Sequence, residues 1–248
     1  MRGTMLVRAL VALGTLTVTL GLSSAQLNLP VQIVLWNFND EDTNADGGVN
    51  ATLSSIQLIG GTTAAFASGS PIETSTPNRA YNTANYPEQG QNNRSAGIRF
   101  NAPTNEHGGI VVLFDLRWSN TASRFVRFQY TTDGVNWIDG DLLEADGGDR
   151  WWSQRNITNA YGDRRYLVDL RGVSAVDNNP NFAFRFVTEF APGRNEYFGA
   201  RDNNAEGYRT GGTLRFDLVE VRAVPEPASM LALGTGLVGL LGLRRRQR

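Results

Sequence analysis

Ile110-Val111-Val112-Leu113-Phe114-Asp115-Leu116-Arg117-Trp118 and Phe125-Val126-Arg127-Phe128-Gln129-Tyr130-Thr131-Thr132 decide how this chain folds. In the first stretch Ile110, Val112, Phe114, Leu116 and Trp118 recur at every second position, and Asp115 and Arg117 fall between them. In the second, Val126, Phe128 and Tyr130 alternate with Arg127 and Gln129. Successive side chains of a strand point to opposite faces, so this period predicts half-buried antiparallel strands. Their enrichment in β-branched and aromatic residues points the same way. Asp133-Gly134 follows as turn chemistry and predicts a hairpin into Val135-Asn136-Trp137-Ile138.

Outward from this pair the texture repeats. Residues 31–39, 53–59, 62–67, 98–101, 166–170, 182–190, 196–200 and 213–221 are short apolar runs separated by Gly, Asn, Asp and Pro. Phe182, Phe184, Phe186 and Phe190 share one face of theirs, with Arg185 and Glu189 opposite. Trp36, Trp118 and Trp137 lie within such runs and are expected in the core. Residues 68–93 carry Pro71, Pro77, Pro87 and little apolar content, which predicts a surface excursion. The acidic cluster Asp139, Asp141, Glu144, Asp146 and Asp149 reads as a solvated loop. No helical period of any length and no βαβ rhythm appear, so the fold class expected is all-β, an antiparallel β-sandwich.

The chain has 248 residues, with 23 basic and 24 acidic side chains, one histidine and no cysteine, and every basic residue is arginine. Arg2 and Arg8 precede an uncharged run over 9–22, and Ser23-Ser24-Ala25 offers small residues for cleavage. That pattern predicts a secretory signal peptide over residues 1–25. Setting aside its two arginines and the four at the C-terminus leaves 17 against 24 acidic residues, a charge of −7. A domain of that sign has no electrostatic footprint for nucleic acid. Without cysteine, an exported domain of residues 26–223 rests on its hydrophobic core, and thiol catalysis and cysteine-bound zinc are excluded.

The last 25 residues form three blocks. Val224-Pro225-Glu226-Pro227-Ala228-Ser229 has two prolines, which block continuation of a strand or helix. Residues 230–243 are uncharged and rich in Leu and Gly, and Arg244, Arg245, Arg246 and Arg248 close the chain. Fourteen helical residues span only about 21 Å of a hydrocarbon core about 30 Å thick, and snorkelling arginines narrow the gap. The terminal arginines hold that end on the cytoplasmic side. This arrangement resembles the PEP-CTERM sorting signal of Gram-negative bacteria that make exopolysaccharide. The resemblance implies an exosortase as partner, a membrane protease-transpeptidase that cleaves near Pro225-Glu226-Pro227. It further implies transit through the inner membrane and delivery of the domain to the cell surface, outer membrane or extracellular matrix.

Three further stretches resemble secreted jelly-roll domains of the galactose-binding or carbohydrate-binding-module type. They are Trp36-Asn37-Phe38-Asn39-Asp40, the central pair with its turn to Trp137, and Phe216-Asp217-Leu218-Val219-Glu220-Val221. The likeness implies a polysaccharide such as the host's exopolysaccharide as partner, and a structural calcium between first and last strands. That ion would draw on Asn39 or Asp40 and on Asp217. Independently, Asp42-Thr43-Asn44-Ala45-Asp46-Gly47 fits the first half of a calcium loop, although Leu53 stands where a closing Glu belongs. The other reading of these residues is a solvated acidic turn.

Trp151 and Trp152, flanked by Arg150 and Arg155, read either as a sugar-stacking loop or as aromatic plugs at one end of the sandwich. His107 is the only histidine and no Gly-x-Ser-x-Gly elbow accompanies it, so no catalytic residue is assigned. The function expected is therefore a non-enzymatic, surface-sorted structural or polysaccharide-binding sandwich. The alternative is a hydrolase using two carboxylates on the same scaffold.

Overall fold

The computed structural model describes residues 30–224. The expected signal peptide, most of the 224–229 motif, the apolar run and the arginine tail lie outside the described residues. Among the described residues no helix is long and apolar enough to cross a membrane.

Twelve strands follow in chain order: β1 (Val31–Trp36), β2 (Ser55–Ile59), β3 (Thr63–Ser68), β4 (Arg79–Ala84), β5 (Gly97–Asn101) and β6 (Ile110–Trp118). They continue with β7 (Phe125–Thr131), β8 (Ile138–Glu144), β9 (Arg150–Trp151), β10 (Tyr166–Asp169), β11 (Ala183–Glu189) and β12 (Leu214–Ala223). One sheet has seven strands on the path β10-β6-β12-β4-β3, with β1 also on β12 and β9 also on β6. The other has five, in the order β2-β5-β11-β7-β8. All pairings are antiparallel, and the chain passes repeatedly from one sheet to the other. The expected all-β antiparallel sandwich is the fold.

The core is aromatic because the inward positions of the facing strands are. Phe186 of β11 lies 4.6 Å from Phe114 of β6 and 5.0 Å from Phe216 of β12, measured between ring centroids. Trp36 of β1 meets Phe100 of β5 at 5.1 Å, and Phe100 stacks on Phe184 at the same spacing. Each such pair adds about 0.5–1.5 kcal/mol beyond the burial of its rings. Trp36 and Trp118 are fully enclosed, as their place in strands predicts.

Four local expectations are corrected. Residues 68–93 are no mere excursion, since they contain β4, with Ala80, Tyr81 and Thr83 buried. Its run Arg-Ala-Tyr-Asn-Thr-Ala carries too little apolar surface to announce a strand. Asp139, Asp141 and Glu144 lie on β8, an edge strand where charge discourages pairing with another chain. Residues 196–200 form no strand, and only Gly199 makes a bridge, to Ser123. The turn at Asp133-Gly134 is six residues long, and Trp137 falls outside any strand.

β6 and β12 form the middle of the larger sheet. Asp115 and Asp217 stand opposite each other on them, both with no exposed surface. Ser70 donates its hydroxyl to Asp115 and its backbone N–H to Asp217, each at 2.5 Å. Ser153 gives Asp115 a hydroxyl at 2.6 Å and an N–H at 3.0 Å. Burial raises the Asp115 carboxyl above its ordinary value and pushes Asp217 up to about 8, with Glu73 and Asp115 adding to the latter. Just beyond, β12 bulges between Asp217 and Glu220. Arg165 spans the bulge, reaching the Leu218 carbonyl at 2.9 Å and Glu220 at 2.8 Å.

On the other sheet Glu189 of β11 accepts two bonds from Arg127 of β7, at 2.6 and 2.9 Å, and one from Arg94 at 2.7 Å. Burial alone would raise its carboxyl, but the two guanidinium groups outweigh it and hold the group below its ordinary 4.5. We expect Glu189→Gln to cost about 3 kcal/mol, because it leaves the largely buried Arg127 without its carboxylate partner, while Arg94 keeps Asp139. The native ion cluster contributes stability above the unfolded value near 4.5, lost as pH falls through the lowered folded value. Denaturant titrations at pH 7 and pH 3 should therefore show the variant's deficit shrinking in acid.

Candidate functional site

The outward face of the five-stranded sheet is built by alternation. Ile98 and Phe100, Phe184 and Phe186, and Phe128 point into the core, so their neighbours Arg99, Arg185 and Gln129 point away from it. Register then aligns one polar rung across all five strands: Gln57, Arg99, Arg185, Gln129 and Asp139. Arg99 donates its Nε to Asn101 at 2.7 Å, and Arg185 donates its Nε to Gln129 at 2.7 Å. Gln129 in turn donates to Asp139 at 2.6 Å, whose other oxygen accepts from Arg94 at 2.7 Å.

Trp137 lies over this rung. The Arg185 guanidinium carbon is 4.1 Å from the centre of its ring and that of Arg99 is 5.1 Å away. Each contact is worth about 0.5–1 kcal/mol at a site of this exposure. The ring is half-buried, contrary to the core position its sequence suggested. The cause is Asp133. Its side chain accepts from the N–H groups of Val135 and Asn136, at 2.9 and 2.7 Å, and from the Asn136 amide at 2.7 Å. Those N–H groups are taken from the strand ladder, so the turn widens and carries Trp137 out of β8. Asp133 is held below the ordinary carboxylate range, first by the Asn136 side chain and then by these backbone donors. Val135 and Ile138 beside the ring are exposed hydrophobics.

The residues singled out by sequence are placed elsewhere. Trp151 is buried, paired through its backbone with Arg117. Trp152 packs edge-on against Tyr166 at 4.5 Å, and Arg155 covers it at 3.9 Å. Arg155 also reaches the Glu144 carbonyl of β8 at 2.6 Å, and Tyr166 reaches Asp141 at 3.0 Å. Together they tie β10 of one sheet to β8 of the other at the sandwich edge. Arg150 is taken up by Asp146 at 3.1 Å and the Gln154 carbonyl at 2.9 Å.

The five residues assigned to calcium do not converge. Asp42 accepts from the backbone and amide of Asn44, Asp40 from the N–H of Asp42, and Asp46 from the N–H groups of Asn37 and Phe38. These are the hydrogen bonds of a self-contained turn, while Asp217 is buried in the sheet. Among the described residues no group of three or more His, Cys, Asp or Glu side chains is arranged to hold a metal ion. Two enclosed oxygens near Asp217 do lack partners, Glu73 Oε2 and Asn78 Oδ1. His107 sits in a turn, its backbone N–H on Thr104.

Sequence reasoning missed Arg99, Arg185 and Trp137. The outward positions of Arg99 and Arg185 follow from alternation on strands that were identified. Their adjacency needs the register of three strands that are not all consecutive in the chain, and no local signal carries that.

Among solved structures the chain is similar to the N-terminal CBM22-1–CBM22-2 tandem domain of Paenibacillus barcinonensis Xyn10C. The identity is 12% and the TM-score 0.43, over 78% of this chain and 50% of that one. It is similar to the CBM22-1–GH10 modules of the Clostridium thermocellum endo-1,4-β-D-xylanase 10B complexed with xylohexaose, at 11% identity and TM-score 0.42, over 79% and 29%. It is also similar to CtCBM11, at 13% identity and TM-score 0.35, over 81% of this chain and 100% of that one. The chain thus spans half or less of the first two. No curated protein matches the sequence. The family description that does match is the PEP-CTERM protein-sorting motif, which this chain carries at residues 223–246.

Proposed function

We propose that this protein is an exported, envelope-sorted β-sandwich that binds polysaccharide without catalysing a reaction, through the face around Trp137. The observation that carries the reading is a half-buried indole held over two guanidinium groups on an otherwise polar sheet face. A flat aromatic ring matches the apolar face of a pyranose, and the amides and guanidinium groups of the rung match its hydroxyls. The Trp151–Trp152 loop, read from sequence either as a sugar contact or as a plug, packs at the edge of the sandwich, which favours the plug.

The sorting motif supports export and association with the envelope of a Gram-negative bacterium. Processing by an exosortase near Pro225-Glu226-Pro227, passage through the inner membrane and delivery to the exopolysaccharide matrix are the finer parts of the proposal. The domain meets the motif without a linker: Ala223 is paired with Val31 and Ile110, and the Val224 N–H donates to Gly109 at 2.8 Å.

Hydrolysis on the same scaffold needs two carboxylates facing each other across an open cleft. Asp115 and Asp217, which stand side by side, are sealed inside the sheet and its covering loops. Of the calcium readings, the one that draws on Asp217 gains two further oxygen donors in Glu73 and Asn78. The unpartnered oxygens of Glu73 and Asn78 support that placement, and oxygen ligands suit a hard cation.

Trp137→Ala should lower retention on the host's exopolysaccharide at least tenfold and lower the unfolding midpoint by only a few degrees, the two cation–π contacts being worth about 1–2 kcal/mol together. Trp151→Ala should lower the midpoint more and spare retention; undiminished retention by the Trp137 variant would end the reading. A chelator should lower the thermal midpoint if a calcium at Asp217 is real, and an identical midpoint removes it. Deletion of residues 230–248 should leave the protein unsorted when cell fractions are immunoblotted, and normal surface display would contradict the sorting role.

A further inference from the structure

The Trp137 face has a charge imbalance that its neighbours do not share. Arg99 and Arg185 stand directly opposite each other on β5 and β11. Like charges so placed are destabilising unless something neutralises them. Elsewhere on the sheet that is done: Arg94 and Arg127 share Glu189, and Arg94 also meets Asp139. Arg99 and Arg185 make no ion pair among the described residues. Each bonds through Nε alone, to the neutral amides of Asn101 and Gln129. The terminal nitrogens of both guanidinium groups are left without a protein acceptor, beside the indole. Burial holds the Arg185 guanidinium below its ordinary range, the charge of Arg99 lowers it further, and Asp139 on the same rung offsets only part of this.

We propose that this face takes an acidic polysaccharide, a polymer whose sugar rings bear carboxylates, with Arg99 and Arg185 holding a carboxylate while Trp137 stacks on a ring. The proposal rests on the polysaccharide-binding reading above and narrows its ligand class. A guanidinium fork matches a carboxylate bidentately, and its bonds to an anion are about twice as strong as those between neutral groups. A neutral polymer would satisfy the free N–H groups and leave the paired charges uncompensated. A carboxylate does both. The domain as a whole is acidic, so long-range steering opposes a polyanion. Attraction must come from the short-range fork, which makes the site selective for a ring-borne carboxylate over a general polyanion. The same acidity argues against nucleic acid, whose binding needs several phosphates neutralised along a basic surface.

The test is affinity electrophoresis of the full chain through gels holding polygalacturonate, alginate, their carboxyl-reduced neutral counterparts, or single-stranded DNA. The expected result is retardation by at least one uronate polymer, weakened at least tenfold by carboxyl reduction and reduced by salt. Arg185→Gln should weaken it at least tenfold, and Arg185→Lys should recover part, because charge returns without the fork. Each variant should be checked by its unfolding midpoint, and Arg99→Gln serves if Arg185→Gln fails to fold. Equal retardation by native and carboxyl-reduced polymers would overturn the acidic ligand and leave polysaccharide binding standing. Retardation by DNA alone would overturn both readings. No retardation by any uronate polymer, with Trp137-dependent retention on the host's exopolysaccharide intact, would also overturn the acidic class.

Discussion

Two carboxyl groups side by side in the middle of a sheet must each find hydrogen-bond partners, or the sheet does not form. Asp115 and Asp217 meet that demand through Ser70 and Ser153, on two loops that fold down onto the larger sheet. An unsatisfied buried carboxylate would cost several kcal/mol, comparable with the whole stability of a domain this size. The loops are therefore part of the fold's interior. With loops covering the middle of one sheet, the polar rung of Arg99, Arg185 and Gln129 lies on the outward face of the other.

That surface is organised by arginine. The larger sheet uses Arg165 internally, bridging the bulge of β12, and the smaller one uses Arg127 and Arg94 around Glu189. In each case the fork geometry binds chain segments that are distant in sequence. Arg99 and Arg185 have the same geometry with no internal acceptor for their outer nitrogens. The difference separates arginines that hold the fold from those that face outward.

The strand alternation of 110–118 and 125–131 was legible because both stretches carry bulky apolar residues at every second position. β4 was not, because, of its buried residues Ala80, Tyr81 and Thr83, only the tyrosine is a bulky apolar side chain. The turn at 133–137 was legible in its chemistry and misread in its length, since Asp133 diverts backbone donors that a hairpin would have used. The sorting motif could be read outright, as its blocks are contiguous. The candidate face could not: Arg99, Arg185 and Gln129 belong to strands separated by dozens of residues, and only register makes them neighbours. The tryptophans that drew attention in sequence, Trp151 and Trp152, fill the sandwich edge, because two adjacent indoles are as good at sealing a seam as at meeting a sugar.

β12 lies between β6 on one side and β4 and β1 on the other, yet it is the last strand among the described residues. The larger sheet consequently lacks its middle member until the ribosome has delivered residues 214–223, and every earlier strand must wait. Such distant pairings close slowly, with the loop entropy lost before any contact is gained. An N-terminal portion emerging early has no complete hydrophobic layer to collapse into, so it stays threadable. The core of the larger sheet therefore closes only when nearly the whole domain is present, which ties its completion to that of the chain.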